Sequence, residues 1–287
     1  MSKLIFGCGY LGGRVAERWL AAGHAVAAVT RSERRAAEWR QRGLRPIVAD
    51  VTRPESLASL PEAETVLYAV GFDPRSGKSR WEVYVDGLRA VLAALPAATG
   101  RIIFISSTGV YGDAAGDWVD EDSPCRPTRE AGRAFLAAEE ALSHHALGDR
   151  AIVLRLAGLY GPGRVPHKAD ILAGKAILSP ADSPINLIHA DDAAAAVLAA
   201  DARAAPPRTY VVSDGHPVDR RECFRCLAEL LGAPAPRFIA PSTDFLAQHH
   251  SGSNKRVRNA RMLAELGVRL AYPTYREGLE AAMTKLE

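Results

Sequence analysis

The chain has 287 residues, of which 48% are hydrophobic and 24% charged, and its formal net charge is +3 at pH 7. These proportions suit a globular protein with one large α/β domain, or a domain plus a smaller lobe. Basic residues are spread along the chain, which gives no electrostatic case for nucleic acid, and no run of about 18 apolar residues offers a membrane span. The opening MSKLIFGCG does not read as a secretory signal, because a glycine turn interrupts its short apolar run. The expectation is a cytoplasmic protein that acts on a small molecule, as a monomer or a homodimer.

The first predicted strand is Leu4–Gly7, and it runs directly into Gly7-Cys8-Gly9-Tyr10-Leu11-Gly12. That is a G-x-G-x-x-G pattern in its required context, after a strand and at the start of the helical run LGGRVAERWLAAG. Gly7 permits the tight turn. Gly9 lets the backbone approach a pyrophosphate, and Gly12 lets helix pack on strand. The backbone N–H groups of Tyr10, Leu11 and their neighbours then face the phosphates.

The second strand, Ala25–Val29, ends at Thr30-Arg31-Ser32. NAD-binding chains usually place an acidic residue there to accept from the ribose 2′-hydroxyl. Arg31 cannot accept, but a guanidinium grips a 2′-phosphate. NADP is therefore expected over NAD, with NAD still possible. Asp50 and Val51 follow the third strand, Pro46–Ala49, and are placed to meet the adenine. Ala69, Val70 and Gly71 close the fourth, Thr65–Val70, near the middle of the cofactor. The stretch Gly71 to Ser79 imitates a P-loop, but five residues separate its glycines where the motif needs four.

A helical run over Trp81–Leu95 leads to the fifth strand, Arg101–Ser106, and another over Thr128–Leu147 leads to the sixth, Ala151–Leu156. Strands this apolar, alternating with helices, predict a doubly wound parallel sheet of Rossmann type. The segment from Gly161 to Pro184 is polar and rich in Pro and Gly. A further strand is expected at Thr209–Ser213, after the Ala-rich helix that starts at Asp191. Residues 1–160 with 185–215 are read as the dinucleotide-binding domain, and 161–184 with 216–287 as a smaller α/β substrate lobe. Gln248–Asn259 is read as a polar, basic loop.

Four cysteines are too few and too scattered for a disulfide framework. Cys223 and Cys226 form a lone C-x-x-C on a helical run; a zinc site would need a second ligand pair, so two packed helix residues are expected and no metal. His144-His145 and His249-His250 receive no role.

Four motifs together resemble the extended short-chain dehydrogenase/reductase superfamily, of the NAD-dependent epimerase/dehydratase type. They are the GCGYLG turn, ISSTGVYG (Ile105–Gly112), LRLAGLYGPGR (Leu154–Arg164) and INLIHADDAAAAVLAA (Ile185–Ala200). The resemblance covers nearly the whole chain and implies a Rossmann-like cofactor domain with a largely C-terminal substrate lobe. It also implies a Ser or Thr that holds the substrate oxygen, and a Tyr-x-x-x-Lys pair on one helix face. There the tyrosine moves the proton and the lysine lowers its pKa.

The serine is present as Ser107, with Ser106 beside the cofactor and Thr108 toward the substrate. The pair is not. Where family members read Y-G-R-S-K-L-A-A-E, this chain reads Ala131-Gly-Arg-Ala-Phe135-Leu-Ala-Ala-Glu139, and no Tyr or Lys lies between Trp118 and Ala151. At the usual asparagine position stands Tyr84. Candidate replacements for the proton donor are Tyr111, just beyond Ser107, and Tyr84. Tyr160, after the sixth strand, and His189, before Asp191-Asp192, are candidate substrate contacts with packing roles as their alternatives. Arg133 offers charge in the lysine's place but no usable proton.

Two functions stay open. One is an NADP-dependent oxidoreductase or epimerase/dehydratase with non-standard acid–base chemistry, acting on a small polar or nucleotide-linked substrate. The other is a non-catalytic NADP(H) sensor.

Overall fold

The computed structural model describes residues 1–240 and 254–284. Seven strands form the main sheet. They are β1 Ser2–Phe6, β2 Ala25–Thr30, β3 Arg45–Val48, β4 Thr65–Tyr68, β5 Arg101–Ser107, β7 Ala151–Leu156 and β12 Arg208–Val212. Their order across the sheet is β12-β7-β5-β4-β1-β2-β3. The pairings among β1 to β5 are all parallel. Near-continuous apolar strands are buried on both faces, and β4 and β7 are buried at every residue. The exception is β3, half exposed at the sheet edge, where Pro46 costs no ladder hydrogen bond.

The order reverses between β1 and β4, since β2 and β3 lie to one side and β4, β5 and β7 to the other. Such a switch point opens a crevice at the strands' carboxyl ends, where α/β sheets take their ligands. The helices that follow these strands are α1 Tyr10–Ala21, α2 Glu33–Gln41, α3 Gly87–Ala94 and α4 Glu130–Ser143. The run read as one helix over Trp81–Leu95 opens with a π-helical turn, Glu82–Asp86, before α3.

The chain falls into two compact units. The first comprises Met1–Ser107, Arg133–Arg155 and Ala194–Tyr210, and the second Thr108–Gly132, Leu156–Ala193 and Val211 onward. In the first, Tyr68 lies between Phe6 (centroids 6.0 Å) and Phe104 (5.9 Å), an aromatic stack within the core. Beneath β1, Asp201 takes hydrogen bonds from Lys3 (2.7 Å), Thr65 (2.6 Å) and Trp19 (3.0 Å). This network satisfies a lysine that is only 3% exposed. Helix α6, Ala190–Arg203, carries that aspartate.

The second unit is built from short strand pairs and helices. Strand β8 Gly158–Tyr160 pairs with β11 Leu187–His189, and β10 Pro184–Ile185 with β13 Val218–Asp219. Strand β9 Ile177–Leu178 pairs with β14 Phe238–Ile239, and β6 Trp118–Val119 with β15 Arg256–Val257. Helices α5 Lys168–Leu172, α7 Arg220–Leu230, α8 Ala260–Leu266 and α9 Tyr275–Thr284 complete it. Its core gathers Tyr160, Leu187, Phe224, Leu227 and Leu279. The C-x-x-C pair sits on α7 as two free thiols, Cys223 buried and pushed up to about 12 by burial, Cys226 also raised. Both stay protonated, as packed helix residues do. The basic stretch read as a loop contains β15 in its described part; residues 248–253, with His249-His250, lie outside the described residues.

Candidate cofactor cradle and active-site helix

The turn after β1 is positioned by the sheet. Phe6 accepts the Ala69 N–H (2.7 Å), which draws the end of β4 against the start of the glycine turn. Gly7 has φ +86°, and a Cβ there would lie 2.2 Å from the Ala69 carbonyl oxygen; only glycine fits. A Cβ on Gly12 would meet the Gly7 carbonyl at 2.4 Å, so α1 packs at backbone distance. Gly9 differs, because nothing lies within 4 Å of its Cβ position. It is exposed and stands at the N-cap of α1 with no side-chain cap, so the space at the start of the helix is open on the side of Gly9. A helix N-terminus with room before it is what a pyrophosphate requires. Leu11 is buried, and Tyr10 lies under the Arg14 guanidinium (4.2 Å). The Cys8 thiol is pushed up to about 11, chiefly by burial, and stays protonated.

Arg31, at the end of β2, is exposed and makes no ion pair or hydrogen bond among the described residues. Its neighbour Ser32 caps α2 by accepting the Arg35 N–H, and Arg34 is spent on Glu38 (2.5 Å). Arg31 is thus a cation left available beside the turn. Asp50 accepts from the Thr52 N–H and hydroxyl (2.9 Å each), which shapes the turn after β3, and Val51 is buried beside Gly87. Ala69 and Val70 are half-buried and Gly71 is exposed. Past them, Asp73 caps a short turn over Pro74–Ser76, and a Ser79–Glu82 capping box opens the next helix. The P-loop imitation is therefore two separate local turns.

On α4 the lysine position carries Phe135, which stacks on Tyr84 with centroids 4.3 Å apart and also touches Phe104 (6.4 Å). The two positions at which the family resemblance implies asparagine and lysine thus hold one aromatic pair.

Four residues further along α4, Glu139 is buried. It forms an ion pair with the buried Arg155 of β7 (2.7 Å) and accepts the Ser106 hydroxyl (2.5 Å). Ser106 therefore turns its hydroxyl into the first unit's interior. Ser107 ends β5, half exposed. Sequence reasoning missed this triad, although Glu139 and Arg155 both lie in the quoted motifs.

In the second unit, Thr108, Val110 and Tyr111 are buried in a 3-10 turn. His189 is buried between the rings of Tyr160 (5.4 Å) and Tyr272 (3.9 Å), and its Nδ1 accepts the Asp191 N–H. Tyr160 is 1% exposed and packs so closely on Gly278 that a Cβ there would meet its hydroxyl; burial raises its pKa. Asp192 accepts from the Ala271 (2.8 Å) and Tyr272 (3.0 Å) N–H groups, which holds the segment before α9. Asp214 was not legible in the sequence. One of its oxygens accepts the His216 N–H (2.9 Å), and the other is buried with no partner among the described residues. Burial, reinforced by Asp192 and opposed by His216, pushes its pKa up to about 7.

A carboxyl raised from about 4 to about 7 stabilises the fold fully below pH 4. That contribution is lost as pH climbs through 7, at a cost on the order of a few kcal/mol. Asp214→Asn cannot ionise. It is expected to melt several degrees above the wild type at pH 8, with the gap narrowing steadily toward pH 4. A gap independent of pH would contradict a buried, protonated Asp214.

The sheet, its switch point and the bare glycine turn define a Rossmann-like dinucleotide-binding protein. The described residues contain no metal-ligand cluster and no helix long and apolar enough to cross a membrane. The chain belongs to the NAD dependent epimerase/dehydratase family, whose model matches residues 4–213. It is an atypical member of the extended short-chain dehydrogenase/reductase superfamily.

Protein YeeZ of Escherichia coli (strain K12) is 35% identical over 194 residues, 67% of this chain and 66% of YeeZ. The matched stretch thus spans just under two thirds of that relative. A solved structure from Methylobacillus flagellatus, named for an NAD-dependent epimerase/dehydratase, is 34% identical with a TM-score of 0.80, covering 99% of this chain and 98% of that one. A functionally unknown conserved protein from Silicibacter pomeroyi DSS is 30% identical with a TM-score of 0.78, covering 100% and 99%. The UDP-glucose 4-epimerase of Thermus thermophilus, solved with NAD, shares the fold (TM-score 0.83, covering 100% and 99%) at 20% identity.

Proposed function

We propose that this chain binds NADP(H) and serves as an oxidoreductase or epimerase/dehydratase on a small polar substrate, with an acid–base arrangement unlike the family's usual one. The observation that carries the reading is the pairing of a bare, open Gly9 turn with an available Arg31. The backbone around Gly9 would hold the pyrophosphate and Arg31 the 2′-phosphate; Asp50 and Val51 would flank the adenine. When bound, the cofactor supplies or accepts the hydride. Ser107, at the end of β5, would hold the substrate oxygen.

A second reading, a cofactor sensor without turnover, is favoured by the Tyr84–Phe135 stack. An apolar contact at the lysine position supplies no charge to lower a tyrosine pKa.

Arg31 supplies the test of cofactor choice. A charge-assisted contact is worth about 1.5–3 kcal/mol, so Arg31→Ala should weaken NADPH binding by roughly 10- to 100-fold. NADH binding should stay within about twofold, because NADH has no 2′-phosphate for Arg31 to contact. Equal losses for both nucleotides would overturn the assignment to the 2′-phosphate.

A further inference from the structure

A π-helical turn inserts an extra residue into a helix, and such turns are frequent at functional sites. Here the turn over Glu82–Asp86 is closed by the Gly87 N–H, which reaches back to the Glu82 carbonyl. The Val83 carbonyl within it accepts the hydroxyl of the buried Tyr68 (3.1 Å). The last residue of β4 thus supports the irregular turn by a side-chain hydrogen bond. The extra residue rotates the side chains before it by about 100° relative to those of α3. Tyr84 stands in the middle of that turn.

Tyr84 is held where the turn aims it. Its ring stacks on Phe135 of α4, with centroids 4.3 Å and planes 24° apart, and Phe135 also meets Phe104 of β5 (6.4 Å). The turn lies by the carboxyl ends of the strands. Tyr68, which supports it, is followed by Ala69, whose carbonyl closes on Gly7. A Cβ on Gly87, where the turn meets α3, would lie 3.0 Å from Val51, just after β3. All these residues belong to the first unit, which also carries the glycine turn.

The neighbouring phenol cannot serve. Burial pushes Tyr68 up, and its hydroxyl is taken by Val83. Phe135 supplies no charge, and α4 contains no lysine. The positive charge that helps a phenol give up its proton is carried instead by the oxidised nicotinamide of NADP⁺.

We propose that Tyr84 is the proton-transfer residue of this site, aimed by the π-helical turn and held by the Phe135 stack. This deepens the proposed function and rests on its reading of the cofactor cradle. In reduction, the hydride of NADPH joins the carbonyl carbon with its electron pair, and the π pair moves to the substrate oxygen. That oxygen takes the Tyr84 proton, and the O–H electron pair stays on the phenolate. NADP⁺ is left, and water returns a proton to Tyr84. Oxidation runs the same steps backwards.

The test is ¹³C NMR of the full-length protein labelled at tyrosine Cζ, whose shift reports the ionisation of each phenol. The chain has 8 tyrosines, and Tyr84→Phe, which keeps the stack, identifies the resonance. With saturating NADP⁺, Tyr84 should hold its proton at least about tenfold more weakly, a titration midpoint lower by about one pH unit. Adenosine 2′,5′-bisphosphate, which lacks the nicotinamide, should leave that midpoint unchanged. Arg31→Ala should need more NADP⁺ to saturate and then reach the same midpoint, which separates Tyr84 from the 2′-phosphate position.

If Tyr84→Phe does not fold, Phe135→Leu identifies the same resonance through loss of the stacked ring. A Tyr84 midpoint indifferent to bound NADP⁺, or a shift that appears at Tyr111 instead, overturns the assignment and leaves the cofactor site standing. An equal shift with adenosine 2′,5′-bisphosphate also overturns it, because the nicotinamide would not be its cause. No binding of NADP⁺ removes the proposed function, and the assignment falls with it.

Discussion

Gly9→Val is expected to abolish NADPH binding while leaving the fold intact. Space decides both halves of that statement. Nothing lies within 4 Å of a Cβ at Gly9, so the added side chain starts into open space rather than into the folded protein. It occupies instead the space before the first N–H groups of α1, where the pyrophosphate must come within hydrogen-bond distance. Two charge-assisted hydrogen bonds at about 1.5–3 kcal/mol each amount to a loss of about 10²- to 10⁴-fold.

Gly7→Ala supplies the contrast, because its Cβ would drive into the Ala69 carbonyl at 2.2 Å and its φ is +86°. That change strikes the fold first. Binding by Gly9→Val within threefold of wild type, with an unchanged melting temperature, would show that the turn is not a cofactor site.

Glu139→Ala is expected to give the largest loss of stability. It strands the buried Arg155 guanidinium and removes the acceptor of the Ser106 hydroxyl in one step. Breaking a buried ion pair from one side costs about 3–5 kcal/mol. For a protein of this size that is a fall in melting temperature on the order of 10 °C. The double variant Glu139→Leu with Arg155→Met removes both charges and should recover much of the loss. A single variant within 2 °C of wild type would mean that the pair carries little. The same double variant that melts no higher than Glu139→Ala alone would place the cost elsewhere.

This triad also shows how far local sequence reasoning reaches. The strands of the main sheet were legible because a strand buried on both faces has to be apolar throughout, and β7 follows that rule at every residue but Arg155. The glycine turn was legible because each of its three glycines answers a separate steric demand, and those demands are fixed by spacing along the chain. Arg155 in an apolar strand and Glu139 in an Ala-rich helix each look like isolated charges. Their partnership spans 16 residues of sequence and exists only once α4 packs on β7. Lys3 and Asp201 are 198 residues apart and carry no local signal at all.

The loss of the lysine was readable, but its replacement by a stack on Tyr84 was not. A motif comparison reports which residue is missing, whereas packing decides what fills the space. Asp214 was hidden for a similar reason: its raised pKa comes from burial within the second unit, which sequence spacing does not disclose.

The proposed function turns on whether the chain holds the whole cofactor or only its adenosine end. A titration of NADPH fluorescence with the purified protein, competed by adenosine 2′,5′-bisphosphate, tests this most directly. The expected result is that NADPH binds, that its emission rises, and that it outcompetes the fragment by a wide margin, as a protein that holds the nicotinamide as well as the 2′-phosphate requires. No binding of NADPH would contradict the reading of Gly9 and Arg31. A fragment that binds as tightly as NADPH would contradict the catalytic reading, and would make the Tyr84–Phe135 stack the mark of a cofactor sensor.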